Sequence, residues 1–204
     1  MAKNTHLEHL EDDIFNSGYN GATNSINFLV GLRDMLTTGK GGGNTKVTVK
    51  WDGAPAIVCG TDPQTGEFFV GNKSVFNKTT PKICYTDDFV DEHYPASGLN
   101  PILKMCLAEL SKLPIRGVIQ GDLLYEKRPS IVSMKGKKCY VFKPNTITYC
   151  VEVDSDLGRQ ISQSKIGIVF HTRYNGADIS SMSASFGVDV KPLQGVGSVA
   201  VFSS

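Results

Sequence analysis

The sequence lacks the features that mark a membrane-spanning or disulfide-bonded protein. No apolar run approaches the ~20 residues that cross a bilayer, and the N-terminal residues are too polar for a secretion signal. The 5 cysteines are odd in number and show no paired spacing, which argues against a disulfide framework and against a zinc site. The sequence therefore predicts a cytoplasmic protein with reduced thiols and no membrane partner.

A strong excess of charge of either sign is also missing. The 21 Lys and Arg residues are balanced by 20 Asp and Glu residues, which gives a formal net charge of +1. This balance excludes a protein that binds nucleic acid through its overall charge, but it leaves a local basic groove open. With 204 residues, of which 40% are hydrophobic, the chain can hold one good-sized core, or one domain with a small appendage.

Two regions of different character follow one another along the chain. Residues 5–37 have helical spacing that is interrupted at Gly18 and Gly21, and a glycine-rich stretch from Gly39 to Gly43 predicts a flexible hinge. We therefore divide the chain into an N-terminal helical segment with its hinge, residues 1–43, and a main domain, residues 44–204.

Short strands dominate the main domain. Alternating or continuous apolar runs are separated by turn residues, and one buried helix is predicted at residues 99–112. This combination predicts an α+β domain with antiparallel sheets. The predicted strands cover residues 46–50, 56–60, 67–71, 118–125, 139–142, 146–153 and 166–171, with one or two more between 186 and 202.

The first two predicted strands flank a lysine. The pattern before Lys50 is typical of a half-buried strand, and Gly53 after an aspartate permits a tight break before the next strand. We expect a lysine at such a strand end to point into a cleft. Loss of water around the ammonium would there favour the neutral amine, which is the nucleophilic form.

The tetrapeptide Lys50-Trp51-Asp52-Gly53, called the lysine motif below, resembles the Lys-x-Asp-Gly motif of covalent nucleotidyltransferases. These are the ATP-dependent DNA ligases, the RNA ligases and the mRNA capping enzymes. The chain looks most similar to bacteriophage RNA ligase-like proteins, because Pro55 stands where DNA ligases favour arginine. The resemblance implies an adenylation domain (ATP-grasp-like) with two antiparallel sheets flanked by helices. It also implies that Lys50 carries the nucleotide, while Asp52 holds a ribose hydroxyl or orients the lysine.

Later motifs of that family have partial counterparts in the same order. Lys73 and Ser74 match a basic residue followed by a small one, and Gly121-Asp122-Leu123 resembles a Gly-Glu-Leu motif whose carboxylate touches the ribose or a metal. Phe142 stands where the family has an aromatic that stacks on the base. Each position also has a purely structural interpretation. Lys73 would then be a solvated lysine, Asp122 an acid at a strand end and Phe142 a core aromatic.

The fourth family motif is altered in this chain. In the family this motif contains a Glu-Gly pair, and the glutamate carboxylate positions the metal. Ile166 stands at the position of that glutamate. Either Asp122 or another acid would then bind the metal, or the protein would depend less on a metal. The other acids considered are Glu152, Asp154 and Asp178.

Two further positions are candidates for phosphate contacts. His171 follows the apolar run of the fourth motif, and a structural histidine is the alternative interpretation. Lys191 matches the second lysine of the fifth motif, but Asp189 replaces the first lysine. The sixth motif belongs to an oligonucleotide-binding appendage, for which no residues remain.

The function implied by the resemblance is ATP-dependent joining of RNA or DNA ends through a lysyl-AMP intermediate, with Mg²⁺ or Mn²⁺. A further protein or domain would replace the appendage, and the compartment would be the host cytoplasm if a phage encodes the chain. One alternative is a nucleotide- or nucleic-acid-binding module of the same fold that has lost the chemistry. The other is a phage structural or assembly protein in which the lysine motif is a chance turn.

Overall fold

The computed structural model describes residues 10–38 and 49–204. The chain divides into two compact units, Met1–Val49 and Lys50–Ser204. Within the described residues, no helix combines the length and the apolar character needed to cross a membrane.

The described part of the first unit is a bent helix, α1 (Leu10–Thr38). The bend lies at Gly18, whose φ of 57° and ψ of −130° are not helical. Ser25 Oγ donates to the Leu10 carbonyl at 2.9 Å, whereas a straight helix would separate the two residues by about 22 Å. The predicted break at Gly18 is therefore confirmed. Gly21 is instead a contact point, because a Cβ there would lie 1.9 Å from the Asp13 carbonyl oxygen.

The second unit contains two sheets. A six-stranded sheet has the order β2-β1-β3-β7-β8, with β9 also paired to β7, and a three-stranded sheet has the order β4-β5-β6. All pairs are antiparallel except β7 with β9. The strands are β1 (Ala56–Thr61), β2 (Phe68–Gly71), β3 (Val118–Tyr125), β4 (Ser130–Met134), β5 (Lys137–Phe142), β6 (Tyr149–Glu152), β7 (Ile166–Asn175), β8 (Ser183–Phe186) and β9 (Val199–Phe202).

Three helices and three short 3-10 helices complete this unit. The predicted helix at 99–112 is confirmed as α3 (Leu99–Leu110), which follows the short α2 (Asp87–His93). The sequence did not predict α4 (Asp156–Gln163), whose first turn is capped by a bond from Gly158 N to Ser155 Oγ. The 3-10 helices are Lys73–Phe76, Ile179–Ser181 and Lys191–Leu193.

One face of the large sheet is covered by helices. Ile57, Ile119 and Leu123 point to this side, because they belong to one buried cluster with Leu103 and Leu110 of α3. Burial of such side chains is the main favourable term in folding. This face therefore forms the main core.

The opposite face of the large sheet carries an apolar cluster at each of its two ends. Val58 and Val118 pack beneath the 3-10 helices at one end, and Phe142 of the small sheet packs with Leu124 and Val169 at the other. Between them lie Gln120, Asp122 and His171, which we call the polar face of the large sheet. The coarse prediction of an α+β fold with antiparallel sheets is confirmed.

Two local predictions were wrong. Residues 49–55 form no strand, so Lys50 does not lie at a strand end. Single hydrogen bonds hold this segment instead of a ladder. The segment before Lys191 is not a strand either, because the Asp189 carboxylate accepts the Lys191 N–H at 3.1 Å and bends the chain into a 3-10 helix. The predicted residues 46–48 and the glycine-rich hinge lie outside the described residues.

Candidate functional site

Contacts to distant parts of the second unit hold the lysine motif in place. Trp51 donates from Nε1 to the Ser203 carbonyl at 3.0 Å, and its ring packs against Tyr149 and Phe202 with centroid distances of 4.8 and 4.9 Å. The Asp52 N–H donates to the Tyr149 hydroxyl at 2.6 Å. The motif is therefore fixed between the end of β9 and the start of β6.

The Asp52 carboxylate organises the loop that joins β5 and β6. It accepts bonds from Asn145 Nδ2 at 3.0 Å and from the Thr146 N–H at 2.9 Å. The Thr146 bond, followed by the Asn145 bond, keeps the pKa of Asp52 below its ordinary value, and the positive charge of Lys50 adds a smaller effect in the same direction. Asp52 thus stays ionised next to the lysine while it holds the loop.

Gly53 brings the lysine motif against β3. A Cβ at Gly53 would lie 2.6 Å from Asp122 Cβ and 2.9 Å from the Leu123 carbonyl oxygen. Ala54 N then donates to that same carbonyl at 2.9 Å. Only a residue without a side chain permits this approach, so Gly53 sets the distance between the lysine motif and Asp122.

A β-bulge brings His171 next to Asp122. The register between β3 and β7 shifts at Gln120 and Gly121, which leaves His171 as the extra residue, and bulges of this kind re-aim side chains. His171 Nε2 lies 3.5 Å from Asp122 Oδ2, with 15% and 24% of the two side chains exposed. The other ring nitrogen, Nδ1, lies 2.8 Å from Thr172 Oγ1.

Lys50 itself is exposed. The described residues therefore do not provide the dry environment that we expected around its amine. Its charge nevertheless acts on Asp52, and the three residues that follow it are anchored as above. Within the described part of the chain, the residues after Lys50 are thus fixed while Lys50 itself is exposed.

Two predicted positions are core residues. Phe142 is 7% exposed, and its ring contacts Tyr125, Tyr149 and Phe202 at centroid distances of 5.3 to 6.0 Å. Ile166, at the altered metal position, is fully buried in the main core. The core interpretation of Phe142 is thus the one that its packing favours.

The two candidate phosphate-binding lysines lie on opposite sides of the large sheet. Lys73 is exposed at the start of its 3-10 helix, and Val75 in that helix packs on the side of the polar face. Lys191 is also exposed, but its neighbours Val190 and Leu193 belong to the main core on the helix-covered side. Only Lys73 is therefore on the same side as Asp122.

Two of the three acids considered as replacements for the missing carboxylate use their side chains elsewhere. Glu152 forms a salt bridge with Lys137 at 2.6 Å, and Asp178 caps the 3-10 helix Ile179–Ser181. Asp154 offers its main-chain carbonyl to Arg159. No group of three or more His, Cys, Asp or Glu side chains suited to a metal ion occurs in the described part of the chain.

A cleft of about 650 Å³ lies beside the lysine motif. Ala54 forms part of its wall, as do Leu123 and Phe142. Three cations line it: Lys127 and Arg128, which follow β3, and Lys143, which follows β5. Its volume lies within the range of small-molecule sites, which is roughly 300–1,000 Å³.

No sequence pattern indicated several of the residues that shape this region. Tyr149 and Asn145 contact Asp52 across 97 and 93 positions of chain, and no local pattern encodes such a pairing. The cleft cations were also missed, since Lys127, Arg128 and Lys143 are separate in sequence and become neighbours only when the strands pair.

Comparison with known proteins yields a family but no neighbour of known activity. No curated protein and no solved structure matches the chain. A family model described as a family of unknown function (DUF6267) matches residues 4–204. The chain therefore belongs to this family.

Proposed function

We propose that the protein is an ATP-dependent nucleotidyltransferase that forms a lysyl-AMP intermediate on Lys50 and joins RNA or DNA ends. The observation that carries this proposal is the contact between the lysine motif and Asp122. Gly53 packs directly on Asp122, and His171 lies 3.5 Å from the same carboxylate. Residues from three stretches that the resemblance singled out, far apart in sequence, thus lie close together.

The first step is attack by the Lys50 amine on the α-phosphorus of ATP. The new N–P bond forms as the bond from the α-phosphorus to the bridging oxygen breaks, and pyrophosphate leaves with that electron pair. The nitrogen loses its protons to solvent, to which Lys50 is exposed. The anchored Trp51 and Asp52 fix the direction from which the lysine approaches.

The chain's own residues supply charge and hydrogen bonds around the phosphates. His171 contacts Asp122 through Nε2 and Thr172 through Nδ1, so in this proposal it orients the Asp122 carboxylate instead of binding a phosphate. Lys73, at the start of the 3-10 helix that packs on the side of the polar face, offsets negative charge. A magnesium ion prefers one or two carboxylates together with phosphate oxygens, and Asp122 fits the role of a single carboxylate ligand. When bound, such an ion neutralises charge on the phosphoryl oxygens. Lys191 has no part in the proposal, because it lies beside the main core.

The later steps transfer the nucleotide. A terminal 5′-phosphate of the nucleic acid attacks the phosphorus on Lys50, so that the N–P bond breaks and an adenylylated end forms. A 3′-hydroxyl then attacks the phosphorus of that end, a phosphodiester bond forms, and AMP leaves. These two steps rest on the resemblance of the lysine motif.

A second candidate function is nucleotide or nucleic-acid binding without covalent chemistry. Two observations favour it: Lys50 is exposed, and the position of the missing carboxylate, Ile166, is fully buried in the core. Such a protein would bind ATP without releasing pyrophosphate.

Transfer of label from α-labelled ATP to the protein tests the first step. We expect labelling of the wild type with Mg²⁺ and none in Lys50→Ala or Lys50→Arg, because an arginine keeps the charge but is not a nucleophile. Lys78→Ala, which removes another exposed lysine of the same unit, should label like the wild type.

Label that persists in both Lys50 variants would contradict the assignment of the nucleophile. ATP binding by the wild type, measured by calorimetry, without label or pyrophosphate would favour the second candidate function. Far-UV circular dichroism of each variant would exclude unfolding as the reason for lost labelling.

A further inference from the structure

The cleft beside the lysine motif has an apolar wall. Ile102 and Met105 of α3 form one side, and Leu123 of β3 forms part of the floor. Such a wall gains from contact with a ligand that carries a flat or apolar part. A small inorganic anion would leave this wall in contact with water.

The charged residues that line the cleft are mainly positive. Lys127, Arg128 and Lys143 line it and are exposed, and Glu126 is the one acid in its lining. Among the described residues, none of these three cations forms a salt bridge, in contrast to several others. The paired cations include Lys104, Lys112, Lys137, Arg159 and Lys165.

This charge is local, because the whole chain carries a formal net charge of only +1. The cations also come from two separate segments, the β3–β4 connection and the residue after β5. A ligand that engages all three must therefore carry negative charge at more than one point. An apolar wall with unneutralised cations suits a chain of nucleotides, whose bases contact the wall and whose phosphates contact the cations.

The cleft is joined to the lysine motif at two points. Ala54, which lines the cleft, follows the motif directly and bonds to the Leu123 carbonyl. Pro144 also lines it, and the next residue, Asn145, donates to the Asp52 carboxylate. A ligand in the cleft therefore has one end close to the lysine motif.

We propose that this cleft binds single-stranded nucleic acid, with Lys127, Arg128 and Lys143 as its phosphate contacts. The choice of nucleic acid over another polyanion rests on the function proposed above, whereas binding itself does not require the Lys50 chemistry. A cleft at this position would hold one end of a strand close to the lysine motif.

Fluorescence anisotropy with short 5′-phosphorylated oligonucleotides, one of RNA and one of DNA, tests this assignment. We expect the triple variant Lys127→Ala/Arg128→Ala/Lys143→Ala to bind at least about tenfold more weakly than the wild type. The slope of log affinity against log salt should fall by about 2, since each lost phosphate contact on a single strand removes roughly 0.7. Comparison of the RNA and DNA arms identifies the preferred strand.

The matched control is Lys78→Ala/Arg116→Ala/Lys135→Ala, which removes the same charge from exposed residues outside the cleft. This control should bind like the wild type. Urea unfolding of each variant checks that the fold is intact.

Failure of the wild type to bind either oligonucleotide would overturn the cleft assignment, as would equal losses in the two triple variants. Equal competition by polyglutamate would also overturn it, since the cleft would then respond to charge alone. Label transfer without oligonucleotide binding would remove this inference and leave the proposed chemistry. Oligonucleotide binding without label transfer would support the cleft assignment and contradict the proposed lysine chemistry.

Discussion

Gly53 has little room around its Cα, and this makes it the residue that best tests the geometry of the site. A methyl group there would meet Asp122 Cβ at 2.6 Å and the backbone of Leu123 at 2.9 Å. Because a backbone atom cannot move aside as a side chain can, we predict that Gly53→Ala lowers the free energy of unfolding by about 1–3 kcal/mol. Urea denaturation would measure the loss, and label transfer from ATP should fall with it.

Gly98→Ala is the matched control for this substitution. A Cβ at Gly98 meets nothing within 4 Å, so this variant should keep the wild-type unfolding midpoint. If the two variants were equally stable, the close approach of the lysine motif to β3 would be wrong.

Among single residues, the sequence identified several side chains of the site, but it did not predict their contacts. Asp52 was expected to hold a ribose hydroxyl or to orient the lysine, and the structure shows it holding the loop at Asn145 and Thr146. His171 was singled out from its place after an apolar run, but its contact with Asp122 depends on a bulge between two strands. Local patterns do not encode such bulges.

Glu109 joins three elements of the second unit. Its carboxylate lies at the end of α3 and accepts bonds from Lys112 at 2.7 Å, from Lys165 just before β7 at 3.0 Å, and from Ser198 just before β9. Burial alone would raise the pKa of Glu109, but these bonds outweigh it and lower the pKa from 4.5 to about 2.

We predict that Glu109→Gln destabilises the protein by about 3 kcal/mol at pH 7, since a shift of one pKa unit corresponds to about 1.4 kcal/mol. Because the folded state has the lower pKa, the stabilisation is complete above pH 4.5 and is lost as the pH falls towards 2. Urea unfolding of both proteins between pH 7 and pH 2.5 would measure the difference, which should shrink across this window.

The exposed salt bridge between Asp91 and Lys104 provides the control for Glu109→Gln. Asp91→Asn should shift the unfolding midpoint only slightly, because exposed ion pairs contribute little to stability. A difference between Glu109→Gln and the wild type that stays constant down to pH 2.5 would contradict the account of Glu109.

The sequence predicted elements well where apolar periodicity was strong. The strand at 118–125 and the helix beginning at 99 were found with their correct starts, because the strand is almost fully buried and the helix buries Leu103, Cys106 and Leu110 at helical spacing. The polar helix α4 was missed, since it buries only Gly158 and Ile161. The prediction of a strand before Lys50 was wrong for Val49 and Lys50. This segment is held by contacts of Trp51 and Asp52, not by the hydrogen bonds of a sheet.

For the whole molecule, composition and strand pattern were enough to predict an α+β fold with antiparallel sheets, but they did not predict where the sheets meet. The small sheet covers one end of the polar face through Phe142 and Val151. The cleft next to the lysine motif is lined by residues of α3, β3, β5 and the β3–β4 connection, and no single stretch of sequence contains it. The motif resemblance supplied the hypothesis of lysine chemistry, and the pairing of β1, β3 and β7 explains how its residues meet.

Intact mass spectrometry after incubation with ATP and Mg²⁺ distinguishes covalent transfer to Lys50 from nucleotide binding alone. The proposed function predicts a gain of one adenylyl group on the wild-type chain, reversed by excess pyrophosphate and missing in Lys50→Ala. A wild-type mass that stays unchanged while ATP binds would contradict it, and so would an adduct of the same mass on Lys50→Ala.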